Sequence, residues 1–128
     1  MNIAIDIDDT LTESFDYFLP YVAEYFDVDE ETLRKQNISY SNLPKEWKKD
    51  EIGFCRAYYD RIVPDTPFKQ DAAWGVKRLR ELGHRIVIIT ARTDALYTDP
   101  YQTTEQELAN GGICYDKLIC TFDKAKAC

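Results

Sequence analysis

A chain of 128 residues has the size of one ordinary domain and is long enough to bury a core. A hydrophobic content of 45% and an aromatic content of 13% exclude wholesale disorder, and a net charge of −7 without a basic stripe excludes a nucleic-acid scaffold. No window of about 18 apolar residues is present to span a membrane, and acidic residues break the apolar start too early for a signal peptide. A soluble, cytoplasmic protein is expected.

The chain opens on an apolar run, Asn2-Ile3-Ala4-Ile5, that leads into Asp6-Ile7-Asp8-Asp9-Thr10. β-branched residues favour a strand, and a short apolar run bounded by polar residues predicts one buried on both faces. Three carboxylates at its end are costly without a compensating cation or proton. Ends of parallel strands are where α/β sheets bind ligands.

Phe15, Phe18, Leu19, Val22 and Phe26 then recur at the spacing of an amphipathic helix, with Pro20 set to kink or split it. A short helix is expected from Asp29 to Gln36 and a turn near Asn42-Leu43-Pro44. Phe54, Tyr58 and Ile62 form a second helical stripe, closed by Pro64 and Pro67. Residues 13–66 therefore read as a mostly helical insertion. Trp47 and the aromatics from Phe15 to Phe26 read as packing rather than as a surface for stacking bases.

An α/β pattern resumes at Asp71, with a helix to Leu82 that turns Ala72, Val76 and Leu79 inward and stops at Gly83. Arg85-Ile86-Val87-Ile88-Ile89-Thr90 is the clearest strand. Asp99 or Thr98 can cap a helix that starts at Pro100 and ends at Asn110-Gly111-Gly112. Lys117 to Thr121 reads as a third strand, with a turn at Asp123-Lys124. Strands separated by helices imply right-handed crossovers and a parallel sheet, an α/β fold. Cys55, Cys114, Cys120 and Cys128 contain no CxxC pair and lie far from His84, so reduced, partly buried thiols are expected rather than zinc or disulfides.

Asp6 and Asp8 are two residues apart, which on an extended backbone turns both side chains the same way. Two like charges so placed call for a shared proton or a bridging cation. That suits a nucleophile beside a general acid/base, and carboxylate and carbonyl oxygens are also the ligands of Mg²⁺. The same Asp pair is equally compatible with a simple turn.

Asp6-x-Asp8-x-Thr10 after a hydrophobic strand resembles the first motif of the haloacid dehalogenase superfamily of phosphatases. Thr90, at the end of the second strand, resembles the second motif, and Lys124 the third. Lys117 competes with Lys124 but sits at the wrong end of its strand. Ile89-Thr90-Ala91-Arg92-Thr93 followed by Asp123-Lys124 is most similar to the 5′-nucleotidase (deoxyribonucleotidase) branch and its bacterial relatives.

The resemblance implies a three-layer Rossmannoid core of residues 1–12 and 67–128, with residues 13–66 as a small helical cap. It implies a hydrolase that takes a small phosphate ester, with nucleoside monophosphates the favoured class. Asp6 would be the nucleophile and form an aspartyl-phosphate. Asp8 would be the acid/base and would bind Mg²⁺ together with Asp6. Thr90, the Ala91 N–H and Lys124 would hold the phosphate. Arg92 reads as a phosphate contact or as half of a surface ion pair, the second being preferred.

The superfamily's fourth motif, an Asp pair on a further strand, has no counterpart, since four residues follow Lys124. The C-terminal part of the core is therefore expected to be missing, with weak or no turnover. The first strand would keep an open edge through which a homodimer could form. The alternatives are a phosphatase of sugar phosphates or other small esters, and a non-catalytic binding module of the same fold.

Overall fold

The structure, a computed structural model, describes residues 1–121 apart from the side chain of Ser41. Three strands, β1 (Asn2–Ile5), β2 (Arg85–Thr90) and β3 (Lys117–Cys120), form one parallel sheet in the order β1-β2-β3. Six α-helices accompany them among the described residues: α1 (Ser14–Tyr25), α2 (Glu30–Lys35), α3 (Lys45–Lys48), α4 (Glu51–Ile62), α5 (Ala72–Glu81) and α6 (Pro100–Asn110). None is long and apolar enough to cross a membrane. The fold is α/β.

The register pairs Ile5 with Ile88, Ile88 with Leu118 and Thr90 with Cys120. Alternation then sends Ile3, Ile5, Ile86, Ile88 and Leu118 to one face. There they meet Val76 of α5, Leu108 of α6, and Ile7, Leu11 and Ile113 in one apolar cluster. The opposite face carries Ala4, which is exposed, and Val87 and Ile119, which are half-buried. β1 is thus not buried on both faces. It is an edge strand, and no other strand among the described residues pairs with its outer side. An apolar run of four residues reports that a strand forms, not how many neighbours it acquires.

α1 runs unbroken through Pro20, which sits on its exposed side, and buries Phe18, Leu19, Val22 and Ala23. α4 buries Phe54, Cys55, Tyr58, Tyr59 and Ile62 against Phe18 and Val22 in a second, aromatic cluster, to which the loop after β2 adds Tyr97. The Phe54 ring has four aromatic neighbours, Tyr25, Tyr40, Tyr58 and Tyr59, at centroid distances of 5.1 to 6.1 Å. Leu33 of α2 seals the outer side against Leu19 and Ala23. Trp47 of α3 stacks on Phe26 at 4.6 Å and 8° between planes, so these aromatics pack on one another.

Both helices beside the sheet end in the same way. Gly83 has φ of +93° and Gly112 has φ of +69°. The N–H groups of Gly83 and His84 bond to the carbonyls of Arg80 and Leu79, and those of Gly112 and Ile113 to Ala109 and Leu108. These are Schellman motifs, in which a left-handed residue returns the chain and satisfies the last carbonyls. Asp99 caps the start of α6, its Oδ1 accepting from the Gln102 N–H at 3.1 Å, while Thr98 binds Asp60 instead. Gly83→Ala is expected to cost about 1–2 kcal/mol, because a Cβ disfavours left-handed backbone although space around it is open. Chemical denaturation of the variant checks this.

The described cysteines are free: Cys55 is buried, Cys120 half-buried and Cys114 exposed. Burial raises the thiol pKa of Cys55 and of Cys120.

Chain connectivity brings the helical segment to the sheet at one neck. Thr12 forms an antiparallel bridge with Phe68. The Glu13 N–H bonds to the Pro67 carbonyl at 2.9 Å and the Lys69 N–H to the Leu11 carbonyl at 2.8 Å.

Candidate active site

In a parallel sheet the carboxyl ends of all strands lie on one side. Asp6 follows Ile5 there, and Thr90 ends the neighbouring strand, two residues beyond Ile5's partner Ile88. Adjacent strands run about 4.8 Å apart, so Asp6 and Thr90 share one rim. Thr90 is buried and its carbonyl accepts from the Thr121 N–H at 2.8 Å. Ala91 follows directly. Lys124 lies outside the described residues. Lys117 pairs with Val87, three residues before Thr90, and so sits at the opposite end of the sheet.

The loop after β1 is a tight turn rather than a continued strand. Ile7 is fully buried, and its carbonyl accepts from the N–H groups of Thr10 and Leu11 at 3.0 and 2.9 Å. Asp9 adopts φ of +58°, its N–H donates to Thr12 Oγ1, and the Lys69 ammonium donates to its carbonyl at 2.8 Å. Asp6 Oδ1 accepts from the Ile7 N–H at 2.8 Å. Strand alternation therefore does not aim Asp8, because the strand stops at Ile5. Two donors aim it instead: Ser14 Oγ and Arg92 Nη2, each 3.0 Å from Asp8 Oδ1.

Arg92 corrects the surface reading. Its side chain is 3% exposed, and its guanidinium spans from the acidic loop to α6. Nη1 donates to Thr104 Oγ1 at 3.0 Å, and Nη2 donates to Glu107 Oε2 at 3.4 Å. Glu107 Oε1 lies 3.0 Å from the same nitrogen without the alignment of a hydrogen bond. The Tyr97 ring lies 5.6 Å from the guanidinium carbon. Burial works against the charge of Arg92, but Asp8, Tyr97 and Glu107 outweigh it and hold the group above the usual range.

Ser14, Thr104 and Glu107 escaped the sequence reading. For Glu107 a signal existed, since residues 104, 107 and 108 fall on one face of α6 and that face is buried. A charge on a core-facing position requires a partner.

Burial pushes the Glu107 carboxyl up to about 7, against the pull of Arg92. A carboxyl whose pKa rises from 4.5 on folding holds its proton more tightly in the folded state. Stability is then lost as pH rises through the window from 4.5 to about 7, and levels off above it. Glu107→Gln removes the titration. Wild type should lose stability relative to this variant, by up to about 3 kcal/mol, between the two ends of that window. Urea melts at pH 5 and pH 8 check it, and parallel pH dependences for the two proteins would refute it.

No three His, Cys, Asp or Glu residues among those described gather to hold a metal ion. The candidate donors are the Asp6 carboxylate and the Asp8 main-chain carbonyl; Arg92 and Ser14 hold Asp8 Oδ1. So small a set fits only a cation that keeps most of its water, as Mg²⁺ does. A hollow of about 500 Å³ lies beside Asp9, lined by Glu13, Phe15, Asp16, Leu19 and Arg34 among others; Asp6 and Thr90 do not line it. No protein-family model, curated protein or solved structure matches the chain.

Proposed function

We propose that the protein is a Mg²⁺-dependent phosphomonoester hydrolase of haloacid dehalogenase type, with the sheet as a Rossmannoid core and residues 13–66 as a helical cap. One observation carries the reading. The ion pair at 3.0 Å between buried Arg92 and part-exposed Asp8 ties the loop after Thr90 to the loop after Asp6, at the carboxyl rim of a parallel sheet.

Asp6 attacks phosphorus while the bond to the ester oxygen breaks, giving an aspartyl-phosphate. Asp8 gives its proton to the departing alkoxide. It then takes a proton from the water that attacks the phosphorus and releases Asp6. The Thr90 hydroxyl and the Ala91 N–H donate to phosphoryl oxygens, and Lys124 balances their charge. Mg²⁺, held by Asp6 and the Asp8 carbonyl, would supply further neutralisation of the phosphoryl group. Such chemistry asks mainly for positioning and charge stabilisation.

Nucleoside monophosphates are the proposed substrate class, and sugar phosphates or other small esters the alternative within the same chemistry. The scarcity of metal donors among the described residues favours a second reading, a phosphate-binding module without turnover. Release of inorganic phosphate from a panel of nucleotides and sugar phosphates, with and without Mg²⁺, decides among these. Magnesium-dependent release supports the hydrolase. Binding of phosphate without any release, and with no magnesium-dependent beryllium fluoride adduct, supports the module.

A further inference from the structure

We infer that Arg92 is a positioning residue for Asp8: anchored on α6 by Thr104 and Glu107, it fixes Asp8 Oδ1 so that Oδ2 is the oxygen that exchanges protons with the leaving group and then with water. The inference rests on the phosphatase reading and goes beyond it by assigning the group that sets the acid.

The geometry is lopsided in a telling way. The partners of the guanidinium on α6 are dry, since Thr104 and Glu107 are both fully buried. Nη2, which contacts Glu107, also donates to Asp8, a carboxylate that is 35% exposed. Among the described residues, Asp8 Oδ1 takes both the Arg92 and the Ser14 bonds, and Oδ2 takes none. One oxygen is thus fixed, while the other, on a part-exposed carboxylate two residues after Asp6, keeps its lone pairs for a proton.

Stability does not explain the arrangement. A buried charged triad is commonly no better for folding than apolar side chains of equal volume. The buried cation adds a second, charged bond to the one from Ser14 on the same Asp8 oxygen, and the two together give the carboxylate one orientation. General acid catalysis depends on such orientation, because the donor must lie within hydrogen-bond reach of the departing oxygen.

The test compares two substrates. An alkyl phosphate has a poor leaving group that must be protonated as it departs. 2,4-Dinitrophenyl phosphate has one that departs without a proton. For wild type, Arg92→Lys and Glu107→Gln, kcat/KM is measured on both, with thermal unfolding recorded for each protein.

Arg92→Lys should lose about tenfold or more on the alkyl ester and less than about threefold on the dinitrophenyl ester. Glu107→Gln, which leaves Arg92 in place but loosens its anchor, should shift the ratio in the same direction. It also serves alone if Arg92→Lys does not fold. In an Asp8→Asn background, Arg92→Lys should add no further selective loss. Equal losses on both esters, or none, would overturn the positioning role while leaving the hydrolase reading intact. Absence of turnover by wild type on both esters would overturn the hydrolase reading and this inference with it.

Discussion

Asp6→Asn should abolish phosphate release, by at least about a thousandfold, while leaving the protein folded. The change is isosteric, and the bond from the Ile7 N–H to Oδ1 at 2.8 Å can be made equally well by an amide oxygen. What disappears is the charge and nucleophilicity of the carboxylate. Loss of a covalent nucleophile removes the pathway rather than weakening one contact, which is why the effect should exceed that of any supporting residue. The readout is phosphate release at saturating ester, together with labelling of the protein by ³²P-phosphate ester after acid quench. Residual activity within tenfold of wild type would end the assignment of Asp6 as nucleophile.

Phe54→Ala should be the most destabilising single change in the helical layer, at about 3–5 kcal/mol, with Tm lowered by roughly 10–20 °C. Phe54 is fully buried and stacks on Tyr58 at a centroid distance of 5.1 Å. Its neighbours come from α1, α4 and the turn at Tyr40, so truncation opens a space that no single element can close. Rings are stiff, and a void among rings relaxes less than one among aliphatic chains. Ile52, two residues away on the opposite side of α4 and 56% exposed, provides the control: Ile52→Ser should change stability by less than about 0.5 kcal/mol. A cost near 1 kcal/mol for Phe54→Ala would mean that the aromatic layer collapses around the gap.

Much of the fold was legible because its signals are local. The stripe from Phe15 to Val22, the run Arg85–Ile89, Gly83 as a helix stop and Asp99 as a cap each depend on a few neighbouring residues, and each appears in the structure. What was not legible depends on distant partners. The open edge of β1 was expected and appears, but the exposure of Ala4 on its second face is set by what covers that face, and its four residues carry no trace of that. The burial of Arg92 needs α6 to bring Thr104 and Glu107 alongside, twelve and fifteen residues later. Reading Arg92 as a surface group followed its side-chain type; Glu107, on the same face of α6 as Leu108, was the information that would have reversed it. The placement of Asp6 and Thr90 at neighbouring strand ends was legible, because it follows from where the apolar runs stop.

The single antiparallel bridge between Thr12 and Phe68 has a bearing on how such a molecule can change over evolutionary time. More than fifty residues depart and come back through adjacent backbone positions. Their length and composition can drift, or be exchanged for another helical segment, without altering the span that the sheet must close. On the proposed hydrolase reading, substrate preference can change within that segment, provided that Ser14, which holds Asp8, stays as it is.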